Sequence, residues 1–321
     1  MISLIKANSK TLWMPSQAST IASDIDALFY FIYWCVIFFF GIVVVGTLYF
    51  SYKYRDIKKK GLTTSLDHNN LLEITWTLIP TLLSMVVFFW GANTFINMSI
   101  VPHGAMEVYT TAKAWNWEFE YQEGVKSKKN LVVPVNTPVK IILTSKDFLH
   151  SFYVPDFRTK MDAIPNRYTV TWFEATQLGE YDLLCTEYCG TGHSKMLGKV
   201  VVLSQSNYDD WIAEESSKDK GKIFQENPVL FGEQVYYENA CNTCHSLDGS
   251  VVTGPSFKNI FGKTETMKDG SKIIVNEEYI RESILNPKAK IVSGYQPVMP
   301  PYPDLEDIEV RALIEFIKSK K

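Results

Sequence analysis

Two runs of 25 residues without a single charge decide most of what this 321-residue chain can fold into. They are 27–51 (ALFYFIYWCVIFFFGIVVVGTLYFS) and 74–98 (ITWTLIPTLLSMVVFFWGANTFINM). At ~1.5 Å rise per residue each makes a helix of roughly 37 Å, enough to cross a ~30 Å hydrocarbon core with some tilt. A pair of buried core helices is the plainer alternative, but soluble helices rarely run so far uncharged. Pro80 interrupts a backbone hydrogen bond in the second run, which a membrane helix tolerates when a neighbour covers the defect.

The loop between the runs, 52–73, holds Lys53, Arg55, Lys58, Lys59 and Lys60. The flanks outside the runs are poorer in Lys and Arg. The positive-inside rule therefore places this loop in the cytoplasm and both termini outside. Residues 1–26 have no apolar stretch long enough for a signal-peptide core, and no Cys stands where a lipid anchor could follow cleavage. The first run is expected to stay as an uncleaved anchor in membrane lipid. All 32 basic and 35 acidic residues lie outside the two runs, which raises their share there from 21% to about 25%, an ordinary soluble value. The near-balance of charge excludes a basic nucleic-acid binder.

Everything beyond about residue 100 is thus a polar mass on the outer face. Alternating segments at 139–145, 168–175, 180–185 and 198–204 read as strands, punctuated by Gly, Pro and Asn, so 103–208 is expected to be a small β-sandwich or barrel. Residues 209–226 read as a short helix running into a linker, and 227–321 as helical patterns around a Gly/Pro-rich middle.

The segment CTEYCGTGHSKM sets Cys185, Cys189, His193 and Met196 directly after a strand. Thiolate, imidazole and thioether form a soft ligand set, which favours copper over hard cations. A second Cys suits two copper ions bridged by two thiolates. The set wants another imidazole, and His150 in DFLHSFYVP, at a strand-to-loop exit, is the candidate. A closed zinc site would leave Met196 without a role; a disulfide between the two Cys is also open to a chain outside the cell.

In these residues the chain resembles cytochrome c oxidase subunit II, over about 15–216. The resemblance implies a two-helix transmembrane hairpin, an all-β cupredoxin-like domain and a dinuclear CuA centre. It makes Cys185 and Cys189 the bridging thiolates and gives one copper each to His150 and His193. Met196 and the Glu187 carbonyl complete the pair, and the Glu187 side chain reaches a magnesium ion shared with subunit I. AWNWEFEY resembles the aromatic patch, with Trp115 passing electrons inward, although Asn116 stands where the family usually has an aromatic; Trp117 is expected to pack in the core. Lys160, Asp162 and Arg167 fall where the family meets subunit I. Glu73 falls at the mouth of a proton path, although a carboxylate favoured by the helix dipole is the plainer account.

CNTCHS supplies Cys241, Cys244 and His245, the attachment signature of covalent haem c. A thioredoxin-like redox pair is the rival, but no βαβ pattern surrounds the motif. The stretch 227–321 resembles an all-α class I cytochrome c domain, with Met299 on the Pro-stiffened loop GYQPVMPPYP as second axial ligand. Met267, in a polar run, is expected at the surface. The whole then resembles the electron-receiving subunit of a haem–copper terminal oxidase in a bacterial inner membrane, with its redox domains on the periplasmic face. Its donor would be an external cytochrome c or an upstream respiratory complex, and dioxygen would be reduced in subunit I with proton translocation. His68 and His103 stand without companions, so no dioxygen site is expected here. A CuA-containing nitric oxide reductase, or an electron carrier without an enzyme partner, are the alternatives. Cys35 reads as plain packing.

Overall fold

The structure, a computed structural model, describes residues 13–55 and 68–321. Lys58, Lys59 and Lys60 of the basic loop lie outside the described residues, as do residues 1–12. The two uncharged runs form helices α1 (Ala22–Lys53) and α2 (Asn70–Ser99). Both outrun the apolar runs, because backbone hydrogen bonding continues into polar ends that hydropathy excludes. Asn69 caps α2 by accepting the Leu72 N–H at 3.1 Å.

Their apolar side chains face outward on every side: no part of the most apolar stretch of either helix is buried. Such helices suit a bilayer and not water. The helices touch through Phe31 and Trp90, whose rings lie 5.7 Å apart. Cys35 lines an apolar groove between them, beside Pro80.

Ten strands follow: β1 (Met106–Lys113), β2 (Asn116–Tyr121), β3 (Lys126–Lys128), β4 (Asn130–Pro134), β5 (Pro138–Ser145), β6 (His150–Val154), β7 (Thr159–Ala163), β8 (Thr169–Glu174), β9 (Gly179–Cys185) and β10 (Leu197–Leu203). They make two five-stranded sheets, β3-β2-β1-β5-β8 and β4-β10-β9-β6-β7, with parallel pairs β1–β5 and β4–β10 and antiparallel pairs elsewhere. The period-2 pattern decides which face is inside. Along β5, Val139, Ile141 and Leu143 are fully buried while Lys140 and Ile142 are not. Trp117, Phe119, Phe152, Phe173 and Leu183 fill the space between the sheets.

The expected linker is largely helical. Helices α3 (Gln205–Ser217) and α4 (Lys220–Glu226) are capped by Ser204 and Asp219. Trp211 and Ile212 pack on the sandwich core, and Ile223 and Phe224 on the core that follows. Apolar residues spaced through a polar segment gave each helix one face to bury, so the tether is pinned at both ends.

The last domain holds α5 (Pro228–Glu238), a short hairpin of β11 (Thr264–Thr266) and β12 (Lys272–Ile274), α6 (Glu277–Leu285) and α7 (Asp307–Ser319). The hairpin is a small departure from an all-helical tail. Its turn also corrects the reading of Met267, which is 2% exposed and bridged to Val292, not at the surface. Polar neighbours in sequence hid a side chain that the hairpin turns inward.

Candidate metal and haem sites

β9 ends at Cys185, and the loop to β10 folds Cys189, His193 and Met196 back beside it. His150 opens β6 rather than closing a strand, and β6 pairs with β9. The two Cys sulfurs lie 3.8 Å apart, far beyond a disulfide bond of ~2.05 Å. His150 Nδ1 is 3.9 Å from Cys185 Sγ, and His193 Nδ1 is 3.6 Å from Cys189 Sγ. Met196 Sδ is 3.9 Å from Cys189 Sγ, and the Glu187 carbonyl accepts from the Cys185 thiol at 3.3 Å. One small volume thus gathers two thiols, two imidazoles, a thioether and a carbonyl.

The donor set fits copper. The hydrogen bond between the thiols, with help from His150, lowers Cys185; the same hydrogen bond, with burial, raises Cys189. Two thiolates this close repel each other, so ionising both needs a cation beside them. Zinc's closed tetrahedron would leave the buried Met196 sulfur idle.

Asp147 supports this site and was not singled out from sequence. Its Oδ1 lies 2.8 Å from His150 Nε2, and its Oδ2 accepts the Ala114 N–H at 2.7 Å. Burial alone would raise its carboxyl. The His150 ring and the N–H groups of Ala114 and Phe148 hold it below the ordinary range instead. Nε2 is therefore taken, which leaves Nδ1 to face the sulfurs. An acid three residues before a candidate ligand was the available signal.

In the last domain α5 delivers the turn Cys241–Thr243. Cys241, Cys244, His245 and Met299 line one largely apolar cavity, with Tyr302 and Ile280 on its walls. His245 Nδ1 is 2.7 Å from the Pro255 carbonyl. A carbonyl only accepts, so Nδ1 carries the proton and Nε2 keeps its lone pair. Burial lowers the pKa of this ring and keeps it neutral, as an iron ligand must be. Phe257 stacks on it at 4.6 Å, and a Cβ at Gly254 would fall 2.7 Å from it, so only glycine fits there. Met267, buried elsewhere in the domain, is not among the lining residues.

Trp115 stands between the two sites. Its Nε1 donates to the Cys189 carbonyl at 3.1 Å, while its ring forms part of the wall of the cavity that holds Cys244 and His245. A Cβ at Gly192 would fall 2.3 Å from that ring, so the loop carrying Cys189, His193 and Met196 is shaped around the indole. Trp117 is fully buried against Phe152 and His150, as expected of a core residue.

The remaining candidates are scattered. Glu73 lies in the first turn of α2, accepting the Asn69 N–H at 3.3 Å. His68 is not without a companion: its Nδ1 is 3.2 Å from Glu73 Oε1. His103 is exposed beyond α2, Lys160 pairs with Asp162 at 2.9 Å on β7, and Arg167 is exposed before β8.

A membrane hairpin carrying a soft-metal sandwich and a haem-motif domain defines a membrane-bound electron-transfer protein. Comparison with known proteins narrows the class. Residues 7–92 match the family described as cytochrome c oxidase subunit II, transmembrane domain; 124–204 match cytochrome c oxidase subunit II, periplasmic domain; and 230–321 match cytochrome c. The chain is 31% identical over 290 residues to a cytochrome c oxidase subunit 2 of Alkalihalophilus pseudofirmus, covering 87% of this chain and 82% of that one. It is 25% identical over 305 residues to the subunit 2 of Bacillus subtilis, covering 89% and 83%. A solved periplasmic domain of subunit II of cytochrome oxidase from Bradyrhizobium japonicum is 28% identical with TM-score 0.36, covering 36% of this chain and 97% of that one. The chain belongs to the cytochrome c oxidase subunit 2 family and carries a cytochrome c domain. It is an oxidase subunit that works with the other subunits, and its two domains imply copper and haem.

Proposed function

We propose that this chain receives electrons at its haem domain and delivers them through a CuA centre to catalytic subunit I. Cys185 and Cys189 would bridge two coppers, with His150, His193, Met196 and the Glu187 carbonyl as terminal ligands. Cys241 and Cys244 would bind haem c covalently, with His245 and Met299 on the iron. When bound, haem and copper supply two one-electron centres, fed by an external cytochrome c or an upstream respiratory complex and drained into subunit I, where dioxygen is reduced to water coupled to proton translocation.

The residues' own work follows from the geometry. Asp147 holds the His150 ring, Pro255 holds His245, and Trp115 spans the gap with a hydrogen bond on one side and the cavity wall on the other. That bridging position of Trp115 is the observation that carries this reading. The half-buried Glu187 leaves its carboxylate for a magnesium ion at the subunit I contact, with Lys160, Asp162 and Arg167 on the same contact. The Glu73 proton-path role likewise needs subunit I beside α2. Lys53 and Arg55 put the loop inside, so that both redox domains lie on the outer face of a bacterial inner membrane.

The test is the complex purified in mild detergent. Optical and EPR spectra should show one low-spin haem c and a mixed-valence copper pair from this chain, and the complex should take up dioxygen with reduced cytochrome c. A chain recovered without subunit I, or a complex that consumes nitric oxide instead, would overturn it.

A further inference from the structure

Four lysines of the β domain, Lys113, Lys128, Lys146 and Lys195, reach into the haem domain. Lys146 pairs with Asp304 at 2.8 Å, and Lys113 approaches the same carboxylate at 3.6 Å. Lys128 donates to Asn239 Oδ1 at 3.1 Å and lies 3.7 Å from Glu309. Lys195, in the copper-ligand loop, donates to the carbonyl of Thr243, which stands between Cys241 and Cys244. Next to Trp115, the Asn116 amide donates to the Glu238 carbonyl at the end of α5. Among the described residues no haem-domain cation meets a β-domain carboxylate, so the polarity runs one way.

We propose that Lys113, Lys128, Lys146 and Lys195 form an electrostatic clasp that docks this chain's own haem domain over Trp115. Lys128 is 22% exposed and Lys113 11%, the latter held between Glu118 of its own domain at 2.6 Å and Asp304 of the haem domain at 3.6 Å. Their acceptors are covered as well: Asn239 is 1% exposed and the Glu309 side chain 5%. Glu309 also ties the tether to the clasp, since Lys220 of α4 reaches it at 3.2 Å. The occupant is the chain's own domain, because α3 and α4 pack on one core each and lead straight from β10 to α5. Asp304 and Glu309 of this chain supply the carboxylates that the lysine face meets. The clasp rests on the docked geometry; its effect on electron transfer rests on the function proposed above.

Carbodiimide joins a lysine to a carboxylate in direct contact and so reads the clasp without reference to activity. In the purified full-length complex at low salt, mass spectrometry should find Lys146 joined to Asp304 within one chain. The yield should fall several-fold at 1 M salt, where the screening length shrinks from ~10 Å at 0.1 M to ~3 Å. K146E and D304K should each lose the link and slow haem-to-copper transfer while keeping both spectra. The double swap K146E/D304K should restore link and rate. A link between two copies, a salt-independent yield or a double swap without rescue would overturn the clasp. A link with normal salt response and rescue, but transfer unaffected by either single variant, would leave the clasp standing and overturn the electron route.

Discussion

Arg158 and Asp26 are joined by two hydrogen bonds of 2.8 Å, with side chains 5% and 4% exposed. Asp26 belongs to the membrane helix α1 and Arg158 to the turn between β6 and β7, so the pair fixes the sandwich on its anchor. Arg158 also donates to the carbonyls of Pro15 and Ser16 at 2.9 and 3.0 Å. Removing one partner strands the other as a buried charge, which typically costs about 3–5 kcal/mol. Arg158→Ala should lower the melting temperature and open residues 13–21 to protease, with the copper signal retained by what remains folded. Unchanged protease resistance would show that the anchor is held by other contacts.

Cys185→Ser should abolish the mixed-valence copper signal and leave the haem spectrum intact. The sulfurs lie 3.8 Å apart; in the proposed centre both would bridge the coppers, and a hydroxyl is too hard and too basic to replace one. A persisting mixed-valence EPR spectrum would exclude a dithiolate bridge.

Met299→Ala should lower the haem potential and give a high-spin iron that binds added ligands, because a thioether partner raises the potential. Met267→Ala is the companion variant. It removes a buried side chain, so about 2–5 kcal/mol of stability should go while the haem spectrum stays the same. The reverse pattern would exchange the two assignments.

Gly192→Ala and Gly254→Ala should each disturb one centre alone. The new methyl at 192 would overlap the Trp115 ring, and that at 254 the His245 ring. The first should slow haem-to-copper transfer with both spectra near normal; the second should shift the haem spectrum and spare copper. Normal behaviour of both would show that the rings move aside freely.

Asp304 is held below its ordinary value of 3.8 by the hydrogen bond from Lys146. A carboxyl whose pKa is lowered by docking favours the docked state at any pH above 3.8, and this contribution disappears as pH falls through the lowered value. Hydrogen exchange at the backbone amides around Trp115 should therefore be insensitive to docking pH from about 7 to 5 and quicken, after correction for intrinsic rates, only below about 4. In D304N the acid-induced change should be diminished.

The parts written locally in the chain were legible in order. Uncharged runs announce membrane helices, because a bilayer tests each residue of a helix separately. Cys185, Cys189, His193 and Met196 fall on one loop, and Cys241, Cys244 and His245 on one turn, so their spacing alone carries the copper and haem roles proposed for them. Period-2 alternation located the strands for the same reason. Only the tertiary structure decided what depends on distant segments. It set Asp147 behind His150, turned Met267 inward, made the tether helical through cores at both its ends, and put Trp115 between the two sites. The four lysines read as ordinary charges along the chain. They gain meaning only when Asp304, Asn239, Thr243 and Glu309 arrive from residues far along the chain, because electrostatic contact depends on separation in space and sequence order does not report it.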